Sequence, residues 1–325
     1  MNDSIHLNKS YWDFDFEKVG TSFPLFLAVV PVLYVPPTVF VIFRIFAVFL
    51  KSLVKKGNAD MDSHIFLIIV ASHIMNLLFF LSDYLMYRLP ATGLLTSFCA
   101  QSSPSHLLSL IVFLSFYSAY TVMIFPFLLS FIRLLLIIAP NSRLTALRLS
   151  LPCVFLYPLL FTFFLIPAFG ICKQLGEPYP FGSVMVYYYG SYRGIHNSPL
   201  YLGNVVVWMI LCVVINAILL LKLSNFNFKL PSAGSPSSRS KSAELSITFT
   251  TTSMLLSALL NCIFVVSYLT MPVYINYLTI VKPIGSDCEL IVSPWIFYKT
   301  HPIFKRKSRK PLDQMFKSPM VVNTL

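Results

Sequence analysis

Long apolar runs, most of them about 20 residues or more, alternate with short polar segments along nearly the whole chain. An α-helix needs about 20 residues to cross a hydrocarbon core of roughly 30 Å, so each run predicts a membrane span. The runs place seven spans at about Phe23 to Leu50, Ser63 to Tyr87, His106 to Ile138, Leu149 to Ile171, Tyr201 to Leu223, Glu244 to Met271 and Tyr274 to Thr300. The seventh is the least apolar, because Lys282, Asp287 and Glu289 interrupt it. Each charge at the centre of a span costs about 2.5 to 3.5 kcal/mol on an insertion scale, which neighbouring spans and the basic tail must offset. The pattern therefore predicts an all-α membrane protein: a single domain whose seven-transmembrane helix bundle occupies residues 23–300, with a polar segment, 1–22, before it and a tail, 301–325, after it.

Composition agrees with the pattern and charge adds a direction. Apolar types make up 57% of the 325 residues and charged types 11%, against about 25% charged in an ordinary soluble domain, and the mean hydropathy is +0.76. Of the 24 Lys and Arg residues, 18 fall beside the odd-to-even turns and in the tail, five (Lys9, Lys18, Arg88, Lys173 and Arg193) fall on the other side, and Lys282 lies inside the seventh span. Cytoplasmic segments carry the basic excess, so the N-terminus is expected outside and the tail inside, which in turn requires an odd number of spans. The net charge of +12 sits at the ends of spans rather than on one face, which points to lipid headgroups and away from nucleic acid. The first 22 residues lack the three regions of a secretory signal peptide, so the first span is expected to anchor the protein. Asn2 and Asn8 head two N-x-Ser sequons and are candidate N-glycosylation sites. The segment 232–242, rich in Ser, reads either as a phosphorylatable inner loop or as a plain linker.

Of six cysteines, Cys153, Cys212, Cys262 and Cys288 lie within predicted spans, while Cys99 and Cys172 fall between spans on the outer side. That side faces an oxidising compartment, so a Cys99 to Cys172 disulfide is expected, with two free thiols as the alternative. After Cys172 the chain runs through a Gly- and Pro-flanked segment with a β-prone centre at Val184 to Tyr189, which suggests a short hairpin in the second outer loop. This tyrosine-rich hairpin is either a ligand-contacting lid or a packed cap. Arg133, close to the inner end of the third span, is either a snorkelling anchor or a functional inner-face cation. Lys282 and Asp287 are candidate pocket or packing groups, since an ionisable side chain inside a membrane needs a partner or a water-filled space. On a regular helix Lys282 and Glu289 fall within about 20° of one face, whereas Asp287 and Glu289 are about 160° apart. No catalytic residues, cofactor or metal ligands are expected: the chain carries no HExxH, no phosphate-binding glycine loop and no GxSxG, and its histidines are scattered.

Four strings carry a family likeness: YRLPATGLLTSFCAQSSPSHLL, FPFLLSFIRLLLIIAPNSR, CKQLGEPYPFGSVMVYYYGSYRGIHNSPLYL and VSPWIFYKTHPIFKRK. Together they resemble the nematode serpentine chemoreceptors of class U, from the second span to the tail. The resemblance implies a chemosensory G-protein-coupled receptor in the plasma membrane of a sensory neuron, in its cilia, taking a small-molecule ligand of unknown identity and a heterotrimeric G protein as partner. It implies a role for Arg133 at the G-protein face. A ligand in the outer half of the bundle would meet Tyr117, Tyr120, Tyr268, Lys282 and Asp287. The chain departs from rhodopsin-like receptors in three places. Only the arginine remains of the triplet that closes their third helix, Ser293-Pro294-Trp295-Ile296-Phe297-Tyr298 stands where they carry Asn-Pro-x-x-Tyr, and their Cys-Trp-x-Pro is missing from the sixth. The rival reading is a seven-helix channel or transporter, which would show paired repeats or a partner for the polar seventh span.

Overall fold

A computed structural model of the chain describes residues 23–54, 63–139, 143–176, 178–179, 182–229, 238–271 and 274–305. Among them, seven long helical segments form one bundle: α1 (Phe23–Val54), α2 (Ser63–Asp83), α3 (His106–Val122 and Phe125–Ile138), α4 (Arg143–Leu156 and Leu159–Thr162), α5 (Asn197–Lys229), α6 (Ser238–Thr270) and α7 (Ile275–Thr300). Five of them, α1, α2, α3, α5 and α6, are long and apolar enough to cross a membrane by length and composition; the apolar part of α4 is shorter, Ser150–Leu165. In α7 the ionisable residues fall between apolar turns of one unbroken helix.

Two helices depart from regularity for identifiable reasons. Within α3 the backbone breaks at Met123 and Ile124, because Pro126 has no N–H to give the carbonyl four residues earlier and its ring crowds that carbonyl. At the end of α2 a π turn spans Tyr84–Arg88, in which the Leu89 N–H reaches back five residues to the Tyr84 carbonyl, before a last α turn, Leu89–Ala91. The wider turn absorbs one extra residue and rotates all that follows.

The fourth span does not continue to Ile171. Its helix passes through a 3₁₀ turn, Phe163–Leu165, and the chain then leaves as a strand, β1 (Phe169–Gln174), paired antiparallel with β2 (Val184–Tyr189). Pro167 has no N–H with which to extend a helix, and the backbone beyond it is claimed twice: Phe169 faces Tyr189 in the hairpin register, while Gly170 and Ser105 exchange both backbone hydrogen bonds, at 2.9 and 3.0 Å. Gly170 is required there, since a Cβ would lie 2.2 Å from the Ser109 nitrogen.

Lipid is as apolar as a leucine side chain, so burying hydrophobic area does not hold membrane helices together; close packing and polar contacts do. The buried faces accordingly carry small hydroxyl residues, among them Ser72, Ser109, Ser115, Ser118, Thr121, Ser130, Thr250 and Thr251. Ser118, Thr121, Ser130, Thr250 and Thr251 satisfy their hydroxyls on carbonyls one turn back, which keeps them polar yet compact. The main core, around Ile45, Phe66, Ile69, Phe125, Leu129, Ile132 and Phe297, joins α1, α2, α3 and α7, whereas the hairpin packs through Cys172, Val184, Val186 and Tyr188 onto Leu108 and Val112 of α3 and Phe164 at the end of α4.

Candidate functional site

The hairpin is fixed over one end of the bundle. Cys99 and Cys172 form a disulfide with Cα atoms 5.7 Å apart, and around it the Thr96 hydroxyl donates to the Gly182 carbonyl and the Ser183 hydroxyl to the Ala91 carbonyl. The strand β2 spans the same residues, Val184 to Tyr189, that its β-prone composition marks.

Beneath the hairpin lies a cavity of about 250 Å³. Its walls come from α2 (Phe79, Met86, Tyr87), α3 (Ser115, Phe116, Ala119), the hairpin (Lys173, Gln174, Met185, Tyr187, Tyr188), α5 (Asn197, Tyr201), α6 (Asn261, Phe264, Val265) and α7 (Lys282). A smaller space of about 30 Å³ continues from it past Phe79, Ala119, Tyr201 and Asn261 and reaches Glu289. The hairpin supplies cavity wall through three of its aromatic and basic side chains, Lys173, Tyr187 and Tyr188.

Beside this cavity, four ionisable side chains tie α2 to α7. Arg88 donates to both oxygens of Asp287, at 2.8 and 2.6 Å, and its Nε lies 3.8 Å from Asp83. Lys282 donates to Asp83 at 2.9 Å, and the Tyr34 hydroxyl of α1 donates to Asp287. Arg88 and Asp83 are 1% exposed, and the Arg88 guanidinium also lies over the Phe80 ring, 5.0 Å from its centre. Two cations and two carboxylates balance, as burial demands. The π turn makes this possible. Five residues apart on a regular α-helix, Asp83 and Arg88 would point about 140° apart; with one residue absorbed in the turn they face the same neighbour.

At the other end of the bundle Arg133 is buried, and its guanidinium donates to the Thr248 hydroxyl of α6 at 2.9 Å. Arg133 therefore links α3 to α6. Between the two ends runs a ladder of rings. Tyr201, on the cavity wall, packs on Tyr120 at 5.6 Å, Tyr120 on Phe161, Phe161 on Tyr157, Tyr157 on Trp208, Trp208 on Phe127, and Phe127 on Phe131 at 5.8 Å, two residues before Arg133.

A family model described as "Serpentine type 7TM GPCR chemoreceptor Sru" matches residues 5–307. The chain belongs to that family. It is also 37% identical over 281 residues to Serpentine receptor class U-26 of Caenorhabditis elegans, covering 84% of this chain and 93% of that protein. The Sru family is one of chemosensory G-protein-coupled receptors, not of enzymes, and this member is a multi-pass membrane protein with the seven-helix plan.

Within this Sru receptor, the residues singled out from sequence separate into groups. Lys282 lines the cavity. Asp287 does not; it is held by Arg88 and Tyr34, away from Glu289, in keeping with their angular separation. Tyr117 and Tyr120 line neither of the two cavities. Tyr117 spends its hydroxyl on the Phe155 carbonyl of α4, at 2.9 Å, and Tyr120 is fully buried with its hydroxyl on Asn197, also at 2.9 Å. The Tyr268 side chain, Asn2, Asn8, the segment 232–237 and the tail from residue 306 lie outside the described residues. Among the described residues there is no group of three His, Cys, Asp or Glu side chains able to hold a metal. Arg88 is the member of the ion network that sequence reading missed. Its place among the outer basic residues hid it, and the only available signal was an acidic residue, Asp83, one wide turn before it.

Proposed function

We propose that this receptor binds a small molecule in the cavity under the hairpin and answers at the Arg133 end, where α3 and α6 part to admit a heterotrimeric G protein. The observation that carries the reading is that α3 and α6 contribute to both ends. α3 supplies Ser115 and Phe116 to the cavity and Arg133 to the contact; α6 supplies Asn261 and Phe264 to the cavity and Thr248 to the contact. A ligand shifts such an equilibrium only by binding one form more tightly than the other, and a cavity shared by both moving helices gives it that leverage. Lys282 is the ligand-facing ionisable group, with Asp287, Tyr117 and Tyr120 shaping the walls behind it.

The orientation that goes with this reading sets residues 1–22, the hairpin and the cavity outside the cell, with glycans on Asn2 and Asn8, and sets the tail, 301–325, inside, about one bundle domain, 23–300. The basic excess supports it. With Arg88 withdrawn into the ion network, only Lys9, Lys18, Lys173 and Arg193 remain on the outer side against 18 on the inner. Family membership supports the ciliary plasma membrane of a sensory neuron as the location. The test is a cell line carrying a G-protein reporter and the receptor with an N-terminal epitope. The epitope is expected to label intact cells, and Arg133→Ala is expected to abolish the ligand response while surface labelling persists. An epitope reachable only after permeabilisation refutes the orientation, and an unchanged response in Arg133→Ala refutes the inner-face role.

A further inference from the structure

The cavity has an electrostatic sign. Two lysines reach it, Lys282 from α7 and Lys173 from the hairpin, and among the described residues no carboxylate lines it; Glu289 lines only the smaller space beneath. The counter-charges are turned away. Asp83 is fully buried and accepts from Lys282, and Asp287 is engaged by Arg88 and Tyr34; neither carboxylate lines the cavity. The Lys282 side chain remains 27% exposed, and its ammonium has three donors, of which Asp83 takes one. Lys173 sits against the Tyr187 ring, 5.3 Å from its centre. A cleft lined by one sign of charge between low-dielectric walls focuses its field on the ligand.

We propose that the ligand is a small organic anion, a carboxylate on an apolar or aromatic body, with its headgroup at Lys282 and Lys173 and its body against Met86, Phe116, Phe264 and Val265. This inference rests on the cavity being the ligand site and adds the chemical class. The headgroup competes with Asp83 for Lys282. Binding therefore loosens one of the links between α2 and α7, which supplies the difference between bound and unbound forms that signalling needs. A protonated amine of the same shape meets two like charges and is rejected.

The experiment uses the full-length receptor in lipid nanodiscs and follows its unfolding temperature against graded octanoate and phenylacetate, with octanamide, phenylacetamide, octylamine and phenethylamine as matched controls. The carboxylates are expected to raise the unfolding temperature, the amides and amines to do so only at concentrations at least tenfold higher. Lys173→Gln, which leaves the ion network intact, is expected to weaken the carboxylate effect by roughly tenfold, the loss of one exposed charge contact. The double variant Lys282→Gln/Asp83→Asn removes a cation with its partner and so keeps the network neutral; it is expected to abolish the preference for carboxylate over amide. Equal stabilisation by amides or amines, no stabilisation by either carboxylate at millimolar concentration, or an unchanged carboxylate effect in both lysine variants overturns the proposal. Ala119→Phe, which narrows the cavity, separates this from the reading beneath it. If amides bind and Ala119→Phe blocks them, the cavity stands and the anion inference falls; if Ala119→Phe leaves all carboxylate binding intact, the cavity itself is the wrong place.

Discussion

Replacing Asp287 with asparagine keeps the shape of the side chain and removes one charge from a balanced set of four. In the native receptor Arg88 makes a two-pronged contact with Asp287, at 2.8 and 2.6 Å, from a position 1% exposed, and Asp83 is shared between Arg88 and Lys282. Asparagine can accept one of the two arginine bonds, and its amide points a donor at a donor. What remains is two cations with one carboxylate. Breaking a buried pair from one side costs about 3 to 5 kcal/mol. Because Asp287 is 17% exposed and Lys282 27% exposed, water takes part of that load and the lower end, about 3 kcal/mol, is the appropriate figure. For a chain of 325 residues, with about 2.1 cal/mol/K of unfolding entropy per residue, that corresponds to a fall in unfolding temperature of roughly 4 °C. The assay is thermal unfolding of the detergent-solubilised receptor, read as loss of the monomeric peak on size exclusion, with surface labelling in parallel. The sharper arm is the double variant Arg88→Met/Asp287→Leu, which deletes both charges and leaves Lys282 with Asp83. A buried pair replaced by apolar groups of similar volume is often neutral, so the double is expected to melt above either single variant. A double variant that melts below both singles, or an Asp287→Asn receptor that melts within about a degree of the wild type, refutes the reasoning that the network must stay balanced.

Three further outcomes follow from the geometry. Cys99→Ser and Cys172→Ser each open a loop of 73 residues, worth about 4 kcal/mol in chain entropy; both are expected to reach the surface poorly, and a non-reducing gel mobility equal to wild type would contradict the bond. Gly170→Ala places a methyl 2.2 Å from the Ser109 nitrogen and 2.3 Å from the Leu108 carbonyl carbon, both backbone atoms, so it is expected to cut surface expression severely, while Gly203→Ala, which meets nothing within 4 Å, leaves it unchanged. Thr248→Val removes a hydrogen bond to the buried Arg133 guanidinium, worth about 1.5 to 3 kcal/mol; it is expected to raise basal signalling in a reporter line, and a lowered basal signal at equal surface density would show that the contact does not hold the resting form.

Much of this arrangement is legible in the sequence, and the exceptions share a cause. Spans declare themselves by length and apolarity because lipid admits little else, and even α7, with its three ionisable residues, is helical over the stretch that the charge asymmetry requires. The end of α4 is only partly legible: Phe163 to Ile171 is as apolar as a helix, and beyond the break that Pro167 marks it is the Gly170 approach to Ser105 and the pairing with Val184 to Tyr189 that make it strand. Helical periodicity also misdirects at the ion network. It sets Asp83 and Arg88 on different faces, and no local feature of YLMYR announces a π turn. Tyr117 and Tyr120 lie outside the linings of the two cavities for a third reason. A tyrosine in a bundle needs a hydrogen-bond partner, and here the Phe155 carbonyl of α4 and the Asn197 side chain of α5 supply one.

The widened turn at Tyr84–Arg88 also bears on how the gene can change. A helix that has absorbed one extra residue can lose it by deletion of a single codon, with no frameshift and no change in hydrophobicity. The turn would then close as an ordinary α turn, with Asp83 and Arg88 four residues apart and about 40° from one another, and the remainder would keep its facing. Arg88 would stay on Asp287, and Ala91, Thr96 and Cys99 would stay beside Ser183, Gly182 and Cys172, to which they are now joined. In this stretch the number of residues is freer than their identity, and a substitution scan that never varies length would overlook the one change the turn is shaped to absorb.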